Sequence, residues 1–221
     1  MCGRYTLTDP DAVAEAVRAL GADPGDAALP RRFNVAPTQT MPVVVATANT
    51  RALRMMKWGI VPFYARKDEK PFQLINARSE TAAEKPTFKQ SVQKRRCVVP
   101  ADGFFEWRKD ADGRKTPFYI RMKTGTPFWI AGIFEDESPP LPAGYALLTT
   151  GPNELMKPIH DRMPVILGRE AVETWLKSGD LPPEDVRSLC VSYPAQEMVA
   201  GAVSTIVNSA RNDVPECVEE I

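Results

Sequence analysis

Directly behind the initiator methionine, in MCGRYTLT, stands a cysteine. Removal of Met1 would leave Cys2 with a free α-amine and a thiol on adjacent carbons, two nucleophiles within reach of one electrophilic carbon. Such a pair captures aldehydes. Other polar stretches carry groups that could assist. In LINARSE an extended backbone would place Leu74, Asn76 and Arg78 on one side and Ile75 and Ala77 on the other, so an amide and a guanidinium project together. In DGFFEW the same alternation puts Phe104 and Glu106 on one face and Phe105 and Trp107 on the opposite one. A carboxylate among aromatic rings has a raised pKa and can donate a proton near neutrality. PIHDRMPVIL holds the sole histidine, His160, followed by Asp161 and Arg162, at the mouth of a strand predicted over MPVIL. RFNVAPTQ, with Asn34 and Pro37, reads as a rigid polar turn. A turn-capping amide at Asn76, a salt-bridged carboxylate at Glu106 and a hydrogen-bonded structural histidine would satisfy the same patterns.

The elements that must position these groups are mostly strands. Asp9 and Pro10 form an N-cap and first helical residue; Val13, Val17 and Leu20 then share one face, and Gly21 ends the helix. Six strand candidates follow: MPVVVATA, RALRMMKWGIVP, RCVVPADGFFEW, PFYIRMK, PFWIAGIF and YALLTT, separated by turn signals such as ANT, DADG and KTGTP. Their close spacing predicts an α+β, β-rich single domain over residues 1–221, built on a curled or closed, mostly antiparallel sheet with flanking helices. Helices are predicted near 86–94 and 169–178, the latter with Val172, Trp175 and Leu176 inward. PPLP at 139–142 reads as an exposed connection.

Composition narrows the class. The chain has 221 residues, 43% of them hydrophobic, which accommodates one sizeable core. It contains no long apolar run and no basic-then-apolar leader, so neither a membrane span nor a secretory signal is expected. Cys2, Cys97, Cys190 and Cys217 show no metal-site or disulfide spacing, as expected of free thiols in a reducing cytoplasm. The net charge of zero hides an asymmetry: residues 85–123 hold eleven Lys/Arg against four Asp/Glu, and residues 170–221 hold three against ten. Charges are screened beyond roughly 8 Å at physiological salt, so a polyanion responds to the local basic surface. A solvated face without a partner has the same composition.

Taken together, MCGRYTLT, RFNVAPTQ, WGIVP, LINARSE, CVVPADGFFEW and IHDRMPVIL, in that order over residues 1–167, resemble the SRAP family of SOS response-associated peptidases, or abasic-site processing proteins. Residues 168–221, with VETWL and STIVNSARND, are compatible with the family's less informative C-terminal part.

The resemblance implies covalent capture of abasic sites in single-stranded DNA through Cys2; a cytoplasmic, DNA-associated monomer is expected, and no metal or organic cofactor is implied. The chemistry is consistent. An α-amine, with a reference pKa of about 7.7–8.0, is substantially neutral near pH 7, unlike lysine at about 10.4. It can attack the ring-opened sugar aldehyde, and the tethered thiol can then close a thiazolidine. By the same resemblance, Glu106 would shuttle protons and Asn76 would hold the amine and sugar. His160 would engage the sugar hydroxyl or a phosphate. Arg4, Arg78 and Arg162 would clamp phosphates, and Trp107 and Pro37 would stack on or wedge against neighbouring bases. Trp58 is assigned to the core. Two other classes use the same residues: a thiol peptidase built on Cys2, His160 and Asn76, acting on the Met1–Cys2 bond, and a non-covalent reader of single-stranded or modified DNA.

Overall fold

Asp9 opens the first helix by accepting a hydrogen bond from Ala12 N at 3.0 Å, and Gly21 follows it with φ +72°, a conformation that glycine adopts without steric cost. The computed structural model describes residues 2–24, 29–46, 50–62, 64 and 72–221; Met1 and Ala48–Asn49 of the expected ANT turn lie outside them. In chain order the elements are β1 (Tyr5–Leu7), α1 (Pro10–Ala19), β2 (Ala22–Asp23), β3 (Arg32–Val35), β4 (Thr40–Ala46), β5 (Arg51–Trp58), β6 (Asn76–Arg78), α2 (Ser79–Ala82) and α3 (Pro86–Lys94). Then come β7 (Arg96–Ala101), β8 (Gly103–Lys109), β9 (Lys115–Met122), β10 (Phe128–Glu135), β11 (Gly144–Thr150), β12 (Met163–Pro164), β13 (Ile166–Leu167), α4 (Arg169–Trp175), α5 (Pro183–Leu189) and β14 (Met198–Ala202).

The strands form two sheets, one of five strands ordered β14-β9-β8-β1-β3 and a larger one with the path β12-β11-β10-β7-β4-β5-β2. Most pairings are antiparallel; β2 with β5, and β11 with both β5 and β6, are parallel. The β5–β11 pairing involves Lys57 with Gly144 and Trp58 with Tyr145, so the larger sheet curls until two of its strands touch at one corner. That approach requires glycine: a Cβ on Gly144 would stand 2.4 Å from the carbonyl oxygen of Gly59.

RCVVPADGFFEW, expected as one strand, is two. β7 pairs with β4 and β10 in the larger sheet, while β8 pairs with β1 and β9 in the smaller one. The switch occurs at Asp102, whose buried carboxylate accepts from Thr6 Oγ1, Thr8 N, Thr8 Oγ1 and Asp9 N. This junction fixes the N-terminal strand beside β8 in the smaller sheet. MPVIL is likewise interrupted, at Val165, whose N–H bonds Leu148 O and whose carbonyl accepts from Ala131 N, both at 2.9 Å. The helix expected to reach residue 178 ends at Trp175, and LINARSE is extended only through Arg78 before α2 begins.

The main core fills the space between the sheets. Trp58 is fully buried, with the Tyr5 and Tyr145 rings 5.2 and 6.3 Å away, and donates to Ile75 O at 2.9 Å. Its expected place in the core is the observed one. A smaller cluster of Phe105, Tyr119, Val203, Val207 and Cys217 lies on the other side of β8, as the alternation in DGFFEW requires. All four cysteines are buried free thiols. No helix among the described residues is long and apolar enough to cross a membrane.

Candidate active site

Three elements distant in sequence converge on the N-terminus. Cys2 leads into β1, which is clamped between β3 and β8, and its side chain is fully buried. Asn76, at the start of β6, donates from Nδ2 to the Cys2 carbonyl at 2.7 Å. The other end of this amide, Oδ1, is buried and has no hydrogen-bond partner among the described residues. The amide therefore anchors the backbone of residue 2 and presents an acceptor for a donor that these residues do not supply.

Burial pushes the Cys2 thiol far above the ordinary cysteine range, and the Glu106 carboxylate raises it further. The thiol is thus a neutral S–H at pH 7, with Sγ 3.8 Å from Arg4 O. Glu106, on β8, is only 2% exposed. Burial pushes its carboxyl up to about 7, with Asp161 also raising it, so both protonation states are populated near neutrality. His160 Nε2 lies 3.8 Å from Glu106 Oε2, and burial lowers the histidine's pKa. Arg162 N donates to His160 Nδ1 at 3.0 Å, Asp161 Oδ1 lies 3.0 Å from the same nitrogen, and Nε2 is the nitrogen facing Glu106.

Glu106 and His160 open onto a cleft of about 490 Å³ lined also by Trp107, Lys109, Lys115 and Asn208. The Trp107 indole donates to Asn208 Oδ1 at 2.7 Å, fixing the ring in the cleft wall. The arginines differ in their surroundings. Arg78 is exposed. Arg162 is nearly buried, its guanidinium bidentate to Glu80 and bonded to Thr149 O and Oγ1. Arg4 donates to Asn34 Oδ1 and to the carbonyls of Val207 and Asn208. The forks of Arg4 and Arg162 therefore already hold protein partners. Pro37 is half-buried in its turn, next to Thr38, whose N–H bonds Trp58 O at 2.8 Å, and does not line the cleft.

Some residues that build the site had no functional reading in the sequence. Asn34 is fully buried, and its Nδ2 donates to the carbonyls of Val207, Ser209 and Asn212, drawing the C-terminal loop under Arg4. Asp213 completes the tie by accepting from Phe33 N and Asn34 N and pairing with Arg32. Lys109 and Lys115 were visible only as part of the basic surplus over residues 85–123.

The chain matches the model of a family described as SOS response associated peptidase (SRAP) over residues 1–210. It is 38% identical over 224 residues to "Abasic site processing protein YoqW" of Bacillus subtilis, covering 99% of both chains. It is 33% identical over 223 residues to "Abasic site processing protein HMCES" of Xenopus tropicalis, covering 86% of this chain and 66% of that one. A crystal structure of a Bacteroides thetaiotaomicron protein superposes with a TM-score of 0.84 at 25% identity, covering all of both chains.

Proposed function

Because the chain belongs to the SOS response associated peptidase (SRAP) family, we propose that it processes abasic sites in single-stranded DNA by capturing them covalently through Cys2. The observation that carries this reading is the juxtaposition at residue 2: its carbonyl is held by Asn76, and Glu106, poised at about 7, bears electrostatically on its thiol. The names of these relatives supply the substrate class.

With Met1 removed, the Cys2 amine attacks C1′ of the ring-opened sugar, and the carbinolamine loses water to give a Schiff base. Protonated Glu106 supplies the proton that leaves with the hydroxyl. Loss of water leaves the nitrogen as an iminium and Glu106 as a carboxylate; the Cys2 sulfur then bonds to the iminium carbon, the C=N electron pair passes to nitrogen, and the thiol proton returns to the Glu106 carboxylate, restoring the acid. The product is a five-membered thiazolidine, with one water released overall. Because the nucleophiles are tethered, ring closure enjoys a large effective molarity. The Schiff-base stage would also permit β-elimination at the 3′ phosphate, a secondary lyase activity. A thiol peptidase is less well served by this site, because such an enzyme needs a thiolate and burial holds the Cys2 thiol protonated. The reading places the protein on DNA in the cytoplasm, acting as a monomer.

Intact-mass analysis after incubation with an abasic single-stranded oligonucleotide tests the proposal. The expected product has the mass of des-Met1 protein plus oligonucleotide minus one water. A lesion-independent adduct, or none with or without borohydride, would refute it.

Arg78 is the arginine of this set whose exposure suits a phosphate contact. Arg78→Ala is expected to weaken binding to single-stranded DNA with or without a lesion. Its log K against log salt plot should be shallower by about 0.7, the contribution of one phosphate contact on single strands. An unchanged slope would assign Arg78 a purely structural role.

A further inference from the structure

The β8–β9 hairpin contains a charge arrangement that the fold itself does not use. Lys109 and Lys115 are direct cross-strand partners, and like charges so placed, with Cβ atoms about 5 Å apart, destabilise a hairpin. The hairpin's other cations near the turn are neutralised: Arg108 pairs with Asp110 at 2.9 Å and Arg114 with Asp112 at 2.5 Å. Among the described residues neither lysine side chain has an ion-pair or hydrogen-bond partner. Alternation places Lys109 on the same face of β8 as Trp107, and both lysines are exposed where they line the cleft of Glu106 and His160.

That cleft poses an electrostatic problem for a polyanion. Glu106 lines it and Asp161 acts on Glu106 electrostatically, so approaching phosphates meet carboxylates, while the forks of Arg4 and Arg162 are committed elsewhere. We propose that Lys109 and Lys115 form a phosphodiester grip for the strand flanking the captured nucleotide, beside the Trp107 face on which an adjacent base stacks. The proposal rests on the reading that this cleft receives single-stranded DNA. It explains why two ammonium groups face one another without an acid between them: the counter-charge is the bound backbone. Ammonium groups on flexible stems act as point charges and need no fixed phosphate orientation, which suits a strand held by its backbone whatever its sequence.

The test compares Lys109→Gln/Lys115→Gln with Lys89→Gln/Lys94→Gln, a pair of exposed α3 residues that changes net charge equally. Non-covalent binding of a lesion-free single-stranded oligonucleotide is measured over a range of salt. The cleft pair should flatten the log–log salt slope by about 1.4, two contacts' worth on single strands, and the α3 pair should leave it at the wild-type value. Lys109→Arg/Lys115→Arg should restore it. A slope that falls equally in both glutamine pairs, or in neither, overturns the grip. Failure of the capture reading is separable, since it is read from wild-type adduct on abasic DNA and not from lesion-free binding.

Discussion

A variant that retains residues ahead of Cys2, through an uncleavable N-terminal extension, is expected to fold, to bind single-stranded DNA and to form no heat-stable adduct with an abasic site. An acylated nitrogen is an amide whose lone pair is delocalised, so it cannot attack an aldehyde. The thiol alone can form only a reversible hemithioacetal. Cys2→Ala separates the two nucleophiles, because processing leaves an amine: it should give an adduct that borohydride traps and that hydrolyses without reduction. The loss of stable product should be complete in the first variant and conditional on reductant in the second. Stable crosslinking by the extended protein, with its extension verified by mass, would show that the terminal-cysteine mechanism is wrong.

Glu106→Gln should slow crosslinking by about 10²-fold, the lower end for a lost general acid–base group, while leaving affinity for lesion-free single-stranded DNA nearly unchanged. In the wild type, the carboxyl at about 7 must be protonated for dehydration and the amine must be neutral, so the rate should rise toward neutrality and fall above it. The variant should lose the falling limb. Stability should move the other way. A carboxyl raised from 4.5 to about 7 binds its proton more tightly in the folded chain than in the unfolded one. The wild type therefore loses stability as pH rises through that interval, by up to about 3 kcal/mol, and carries the full loss above it. Glutamine cannot ionise, so its advantage in Tm should be smallest at pH 4.5 and widest at pH 8. A gap independent of pH would remove the burial argument, and a wild-type crosslinking rate would remove the proton-shuttle role.

Much of this was legible in the sequence because it is local. The caps and apolar face of α1, the α3 helix and the alternation in DGFFEW are set by neighbours a few residues apart, and Trp58 took the core place expected of it. The break at Asp102 was not legible, because its cause is a set of donors from residues 6 to 9 that meet the carboxylate only after folding. For the same reason residue type alone did not give the arginines' surroundings. Arg4 and Arg162 have the fork that a phosphate would want, but Asn34, Glu80, Thr149 and the carbonyls of residues 207 and 208 take it up. Asn34, read as part of a turn, lies instead in β3, where β1 pairs with the strand and the C-terminal loop takes up the amide.

The tie between Arg4 and Val207 O spans 203 positions, and it has a consequence for synthesis. Residue 2 emerges from the ribosome first, yet Arg4 and Asn34 beside it have no carbonyls to bind until residues 207–212 have followed. At about 5–20 residues per second, that interval lasts roughly 10–40 s. During it the N-terminus is still accessible to an aminopeptidase in solution; afterwards residue 2 is wholly enclosed. An aminopeptidase that must take residue 2 into its own active site would thus act on the growing chain, before residue 2 is enclosed. A nascent chain arrested before residue 207 is an incomplete site, so capture of an aldehyde in that form would lack the support of the loop. Under the proposed chemistry, timing during elongation would then bear, with the finished geometry, on what fraction of molecules is competent.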